Sequence, residues 1–85
     1  MTVDLLYFAW VRERIGHAAE QIALPEGVGT VGGLLDHLRA RGGGYAEALA
    51  ETARIRCAVN QDFASPESRI ASGDEIAIFP PITGG

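Results

Sequence analysis

The sequence predicts one α+β domain in which a mixed sheet of four to five strands packs on one main helix. Near both ends of the chain, segments rich in β-forming residues place apolar side chains at every second position, which is the period of β-strands. Between Thr30 and Leu38 they recur at helical spacing instead. The length of 85 residues suits a single domain with a modest core, too small for a deep substrate cleft. We therefore expect residues 1–79 to form the domain and residues 80–85 to form an extended tail.

The first strand is predicted in the segment TVDLLYFAW. Val3, Leu5 and Tyr7 then share one face, and Asp4, Leu6 and Phe8 share the other. The segment RERIG, closed by Gly16, is predicted to be a short helical or turn connection. A second strand follows in EQIAL and ends at the PEG turn, so the first two strands are expected to be neighbours in a hairpin.

The main helix is predicted to begin after Thr30, whose hydroxyl is suited to an N-cap. Its buried face comprises Val31, Leu34, Leu35 and Leu38. The glycines at 42–44 are expected to end it, and a second short helix is predicted in YAEALAE.

The last third of the chain predicts the remaining strands. The segment RIRCAVN alternates with Ile55, Cys57 and Val59 on one face. A long loop follows, with a short edge strand expected near Phe63. In EIAIF, Ile76 and Ile78 face inward and Ala77 and Phe79 face outward; the prolines after it have no N–H to donate and end the strand.

The composition argues against several classes of function. The net charge is −4, all seven cationic side chains are arginines and there is no lysine. Nucleic-acid binding is therefore disfavoured, whereas an acidic surface suits a basic protein partner. The missing lysine excludes Schiff-base chemistry and a phosphate-binding GK[ST] loop. A single cysteine and an N-terminus without a basic signal region predict a cytoplasmic protein with no membrane segment.

Other motifs in the chain do not support a catalytic, nucleotide or metal site. The segment GVGTVG matches a dinucleotide-binding pattern, but 85 residues cannot build the parallel sheet that such a site needs. His17, His37 and Cys57 lie on three separate elements without metal-ligand spacing, and no set of nucleophile and base stands out. We expect Cys57 to be a buried, inert thiol and His37 to be solvated.

Aromatic residues on the outward face of the sheet predict a docking surface. Phe8, Phe79 and Leu6 face away from the helix, and Phe63 in the following loop is expected to join them. The alternative is that they are scattered surface residues, which are common in folded proteins.

The chain ends with FPPITGG, which predicts a tail that delivers its carboxylate to another protein. Pro80 and Pro81 favour an extended chain, and Gly84 without a Cβ can pass through a narrow channel. The α-carboxyl of Gly85, with a reference pKa of about 3.3–3.7, is ionised and a poor electrophile until it is activated, for example as an acyl-adenylate. The alternative is an idle terminus.

Three segments, YFAWVRERIG, AVNQDF and SGDEIAIFPPITGG, resemble the MoaD family of ubiquitin-like sulfur carriers over essentially the whole chain. The resemblance implies a β-grasp fold and a Gly85 carboxylate that a ubiquitin-activating-type adenylyltransferase activates with ATP and that is then converted to a thiocarboxylate. The tail would insert into the large subunit of molybdopterin synthase, a heterotetramer, and supply sulfur for the dithiolene made from a cyclic pyranopterin phosphate. The carrier would bind no cofactor and would not be catalytic alone. Family positions that contact the partner correspond here to Phe8, Arg12, Phe63 and Phe79, with Pro80 and Pro81 at the base of the tail.

Three other functions stay open from the sequence. The chain could be a sulfur carrier for another pathway, such as thiamine synthesis. It could be a ubiquitin-like modifier joined to lysines, since both uses begin with the same adenylate. It could also be an interaction domain with an inert tail.

Overall fold

A computed structural model describes residues 1–81 and shows a five-stranded mixed sheet with three α-helices and one 3₁₀ turn in that part of the chain. The strand order is β2-β1-β5-β3-β4. The neighbours β1 and β5 are parallel, and the other neighbours are antiparallel. The predicted α+β class is confirmed. In chain order the elements are β1 (Thr2–Tyr7), α1 (Ala9–Ile15), β2 (Ala19–Ala23), α2 (Val31–Arg39), α3 (Gly43–Ala48), the 3₁₀ turn (Thr52–Arg54), β3 (Arg56–Val59), β4 (Asp62–Ala64) and β5 (Glu75–Phe79).

The core lies between one face of the sheet and the helices. Alternation along β1 and β5 directs the predicted residues inward, and the stripe of α2 joins them. Each fully buried Leu or Ile side chain contributes about 1.5–3 kcal/mol relative to an exposed one. The residues with at most 1% exposure in these three elements are Val3, Leu5, Tyr7, Leu34, Leu38, Ile76 and Ile78.

Helix α2 begins as predicted and ends earlier than predicted. The backbone N–H of Gly33 donates to the Thr30 hydroxyl at 3.1 Å, so Thr30 is the N-cap. The helix ends at Arg39, before the glycines that were expected to stop it. Gly43 and Gly44 instead form the start of α3, which ends at Ala48.

Helix α1 occupies a stretch that the sequence assigned in part to the first strand. β1 ends at Tyr7, and Phe8 is the N-cap of the helix, so the predicted strand was too long by three residues. The helix buries Val11 and Ile15, one turn apart, and Gly16, with φ of 95°, is its C-cap. β1 and β2 are antiparallel neighbours as predicted, but this helix, not a tight turn, joins them.

The carboxylate of Glu20 ties β2 to β1 and α3. One oxygen accepts hydrogen bonds from the hydroxyls of Tyr7, at 2.8 Å, and Tyr45. The guanidinium of Arg41 lies 3.6 Å from the other oxygen. Burial first, and then the hydrogen bond to Glu20, raises the pKa of Tyr7 well above its ordinary value. Tyr7 is therefore a neutral hydrogen-bond donor at neutral pH.

Helices α1 and α3 approach each other through a glycine. Gly44 lies against the carbonyl of Arg14 near the end of α1, and a Cβ built on Gly44 would overlap that oxygen. A glycine pair is a weak start for a helix by intrinsic propensity. Because a larger residue would push the two helices apart, packing decides the residue at this position.

We expect Gly44→Ala to lower the free energy of unfolding by roughly 1–3 kcal/mol, the usual cost of overpacking a close contact. The gain in helix propensity, about 1 kcal/mol, offsets part of that cost. Urea denaturation measures the change. Gly29→Ala is the matched control, because a Cβ on Gly29 meets nothing within 4 Å and its φ is not in the positive region. Equal stability of the two variants would mean that α1 and α3 do not pack as described.

Candidate docking surface at the end of the sheet

The parallel pairing of β1 and β5 brings Phe8 and Phe79 to the same end of the sheet. Tyr7 pairs with Ile78, and the N–H of Phe8 donates to the carbonyl of Ile78 at 3.2 Å. Phe8 has extended backbone angles, φ −131° and ψ 154°, so its side chain points away from the face that buries Tyr7. Phe8 and Phe79 therefore share the outer face at the same end of the sheet.

Phe63 reaches the same place across the intervening strand β3. Ala58 of β3 pairs with both Phe63 of β4 and Ala77 of β5, so these two small side chains leave room for the rings on the outer face. The Phe63 and Phe79 ring centroids are 6.2 Å apart with the planes tilted by 54°. This tilted geometry is favourable for aromatic pairs.

Phe8, Phe63 and Phe79 form the surface that we call the aromatic patch. Phe8 is 46% exposed and Phe63 is 81% exposed, whereas Phe79 is half-buried. The predicted outward orientation is confirmed, and so is the short edge strand at Phe63. Large exposed rings gathered at one end of a sheet are typical of an interface. Their role in binding a partner stays a prediction.

Arg12 lies one helical turn beyond Phe8. The N–H of Arg12 donates to the carbonyl of Phe8 at 3.3 Å, which places both residues on the same side of α1. Its side chain is exposed, and no carboxylate among residues 1–81 forms an ion pair with it. The guanidinium is therefore available to a partner that docks on the aromatic patch.

The prolines at the end of β5 border the patch. Phe63, Phe79, Pro81 and Arg56 contribute to the walls of an open groove of about 410 Å³. The pairing of β5 with β3 ends at Phe79, and Pro80 and Pro81 follow directly. Gly84 and Gly85 lie outside the described residues, and the boundary between domain and tail at residue 80 stays a prediction.

The other candidate groups do not assemble into a site within residues 1–81. No group of three potential metal ligands occurs in that range, and no helix in it is long and apolar enough to cross a membrane. Cys57 is buried in the core as predicted, at 5% exposure, and burial raises the pKa of its thiol from 9.0 to about 11. His37 is half-buried, not fully solvated as expected.

Sequence reasoning missed a cluster around Trp10. The guanidinium carbons of Arg14 and Arg54 lie 5.3 Å and 5.2 Å from the Trp10 ring centroid. Trp10 and Arg54 also form part of an open groove of about 420 Å³ with Pro80 and Pro81. Arg14 shares a helix with Trp10, but Arg54 is far away in sequence, and no local pattern could have paired it with the indole.

We expect the Cys57 thiol to resist alkylation in the folded protein. At pH 8 a thiol with a pKa near 9 is about 10% thiolate and one with a pKa near 11 about 0.1%, and the thiolate is the reactive form. Iodoacetamide labelling followed by mass spectrometry should be at least about 100-fold slower in buffer than in denaturing urea. Between pH 9 and 11 the unfolded chain loses this proton first, so stability should fall with rising pH, and less steeply in Cys57→Ala. Rapid labelling of folded protein would contradict the buried placement.

Comparison with known proteins assigns the chain to a family. The model of the ThiS family matches residues 5–85. The molybdopterin synthase sulfur carrier subunit of Haemophilus influenzae is 40% identical over 83 residues, covering 98% of this chain and 99% of that protein. Its counterpart of the same name in Escherichia coli is also 40% identical, with the same coverage.

Solved structures give the same fold. The crystal structure of SAMP1, a small archaeal modifier protein of Haloferax volcanii, is 29% identical, covers the whole of both chains and has a TM-score of 0.75. A chain in the complex of subunits 1 and 2 of the molybdopterin-converting factor from Helicobacter pylori, 21% identical and covering the whole of both chains, matches with a TM-score of 0.68, which shows the fold alone. The expected ubiquitin-like β-grasp fold is confirmed. This chain therefore belongs to the ThiS family, and the resemblance to the MoaD sulfur carriers that its sequence indicated is confirmed.

Proposed function

We propose that this chain is the sulfur carrier subunit of molybdopterin synthase. The observation that carries the proposal is its 40% identity to proteins of that name over 98% of its length. The geometry supports it, because the aromatic patch lies at the end of the strand that leads into the Gly-Gly terminus. The chain supplies a docking surface and a carboxylate, and its partners supply the catalytic groups.

The chemistry of a carboxylate requires activation before sulfur can replace oxygen. A carboxylate oxygen of Gly85 attacks the α-phosphorus of ATP in the active site of a ubiquitin-activating-type adenylyltransferase, and pyrophosphate leaves. A sulfur donor then displaces AMP from the acyl-adenylate and leaves a thiocarboxylate on Gly85. ATP is consumed by that enzyme, and the carrier itself binds no cofactor. A supply of ATP fits a cytoplasmic location.

The large subunit of molybdopterin synthase is the proposed acceptor. In Helicobacter pylori the homologous fold occurs in a complex of two subunits of the molybdopterin-converting factor. We infer that the aromatic patch and Arg12 dock on the large subunit while Pro80 and Pro81 direct the tail, with Gly84 at its narrowest passage, into the active site. There the thiocarboxylate sulfur is transferred to a cyclic pyranopterin phosphate to build the dithiolene. The complete synthase would be a heterotetramer of two small and two large subunits.

A second candidate function is protein modification. The 29% identity to an archaeal modifier protein favours it, because the same adenylate could transfer Gly85 to a lysine. Intact-mass analysis after co-expression with the activating enzyme and a sulfur donor separates the two functions. A carrier gains the mass difference between one sulfur and one oxygen, whereas a modifier produces adducts with other proteins.

Deletion of Gly85, or addition of one residue after it, should abolish thiocarboxylate formation and molybdopterin synthesis while leaving thermal melting unchanged. The reason is that the reacting carboxylate is displaced by one residue while the core, built from residues up to Ile78, is intact. Intact mass, a synthase assay and melting curves on the same samples measure all three properties. Normal sulfur transfer by the deletion variant would contradict the carrier function.

Phe63→Ala should weaken binding to the large subunit by roughly 1–3 kcal/mol, as truncation of an aromatic anchor does, with a smaller loss of stability. Phe63 is 81% exposed and contacts the ring of Phe79, so it adds little to the core. Titration calorimetry measures the affinity, and Asp62→Ala on the same short strand is the control. Phe8→Ala and Phe79→Ala should weaken binding similarly. Unchanged affinity in all three aromatic variants would remove the aromatic patch from the interface.

A further inference from the structure

Charges on the outer face of the sheet are separated along the strands. Asp4 and Glu75 pair in register at one end, where β1 and β5 begin. At the other end Arg56 pairs with Phe79. On the outer face of the sheet the acidic pair therefore lies at the opposite end from Arg56 and the aromatic patch.

Two of the arginines without a carboxylate partner lie at the end of the aromatic patch. Within residues 1–81, ion pairs join Arg14 to Glu47 at 3.7 Å, Arg39 to Asp36 at 2.7 Å and Arg41 to Glu20 at 3.6 Å. The described part of the chain gives no such partner to the other four arginines. Arg54 and Arg56 line the grooves at the base of the tail. Arg12 lies one helical turn beyond Phe8, and Arg69 lies in the loop after β4.

Arg54 differs from the other arginines at the base of the tail in having an unused guanidinium that is held in place. Arg56 donates to the carbonyls of Ala53 and Ile55, at 3.2 and 2.9 Å. Arg54 makes no side-chain hydrogen bond to any residue in 1–81, yet its guanidinium lies 5.2 Å from the Trp10 ring centroid. Stacking on an indole restrains the planar group and leaves its N–H edge free to bind a carboxylate with two hydrogen bonds.

The groove beside Arg54 continues the docking surface. It is lined by Trp10, Ala53, Arg54, Pro80 and Pro81. Pro81 also belongs to the groove next to the aromatic patch, so the two grooves meet at the base of the tail. A partner that holds the tail and covers the patch would lie over both grooves.

We propose that the groove between Trp10, Arg54 and the two prolines is a second contact for the large synthase subunit, and that Arg54 binds a carboxylate of that subunit there. This inference rests on the proposed function and names the chemistry of the partner at this site. The carboxylate forms an ion pair with the Arg54 guanidinium, which has no ion-pair partner among residues 1–81. This polar contact adds to the apolar contact at the aromatic patch. Two contacts, one in each groove, fix the orientation of the carrier on the large subunit.

The test compares charge reversals at two exposed arginines in the full-length chain. Arg54→Glu should weaken binding to the large subunit about tenfold or more relative to Arg69→Glu, which changes the net charge equally but lies beside Thr30 and lines neither groove. Arg54→Lys keeps the charge and should lose less. Raising the salt concentration from about 0.1 to 1 M shortens the screening length from about 10 to 3 Å and should narrow the difference between Arg54→Glu and Arg69→Glu.

Each outcome decides the proposal. Equal affinities for the two reversals, or tighter binding of Arg54→Glu, would overturn it. So would a free wild-type chain that self-associates and loses this association in Arg54→Glu, because the groove would then bind a second copy of the chain. Melting curves check that the variants fold, and Arg54→Gln replaces Arg54→Glu if the reversal unfolds the chain. Failure of the wild-type chain to bind the large subunit or to form a thiocarboxylate would instead contradict the proposed function.

Discussion

The parallel pairing of β1 with β5 is the interaction on which the rest of this domain depends. It joins the first and last strands at the centre of the sheet, with β2 outside one and β3 outside the other. Without it the sheet would separate into the antiparallel pair β2-β1 and the three-stranded piece β5-β3-β4, and an isolated pair of strands is marginally stable in water. The contact joins distant parts of the sequence, so its loop-closure cost must be met before the core of the sheet forms. The helices then cover a surface that exists only when both ends of the chain are in place.

The same pairing keeps the core and the aromatic patch on opposite faces of the sheet. Inward residues of β1 and β5 are essentially inaccessible, whereas Phe8 and Phe63 remain exposed on the other face. Because strand side chains alternate, one register determines both sets at once. Small residues on the outer face have a part in this as well: Ala58 and Ala77 leave the space in which Phe63 and Phe79 meet. The side chains of the aromatic patch can therefore change with little effect on the core.

Local patterns in the sequence predicted the strands, the faces of Ile76, Ile78 and Phe79, the Thr30 cap and the edge strand at Phe63. They failed where tertiary contacts override local preference. Phe8 and Trp10 are good strand residues by propensity, and α1 has only Val11 and Ile15 to indicate its buried side, so the strand was extended too far. Gly43 and Gly44 argue against a helix, yet close packing on α1 requires a glycine at 44. The contact of Arg54 with Trp10 could not be read from the sequence, since nothing local relates two elements so far apart.

The geometry of the two central strands also determines how the domain bears force. β1 starts at Thr2 and β5 ends at Phe79, and the strands run in the same direction, so a pull between the chain ends acts along the strands in opposite senses. The ladder hydrogen bonds are then sheared together, whereas an antiparallel pair pulled from its open end separates one bond at a time. A partner that draws on the C-terminal end while the rest of the chain is held loads the strongest direction of the sheet. A domain of 85 residues can in this way remain folded while its end is under tension.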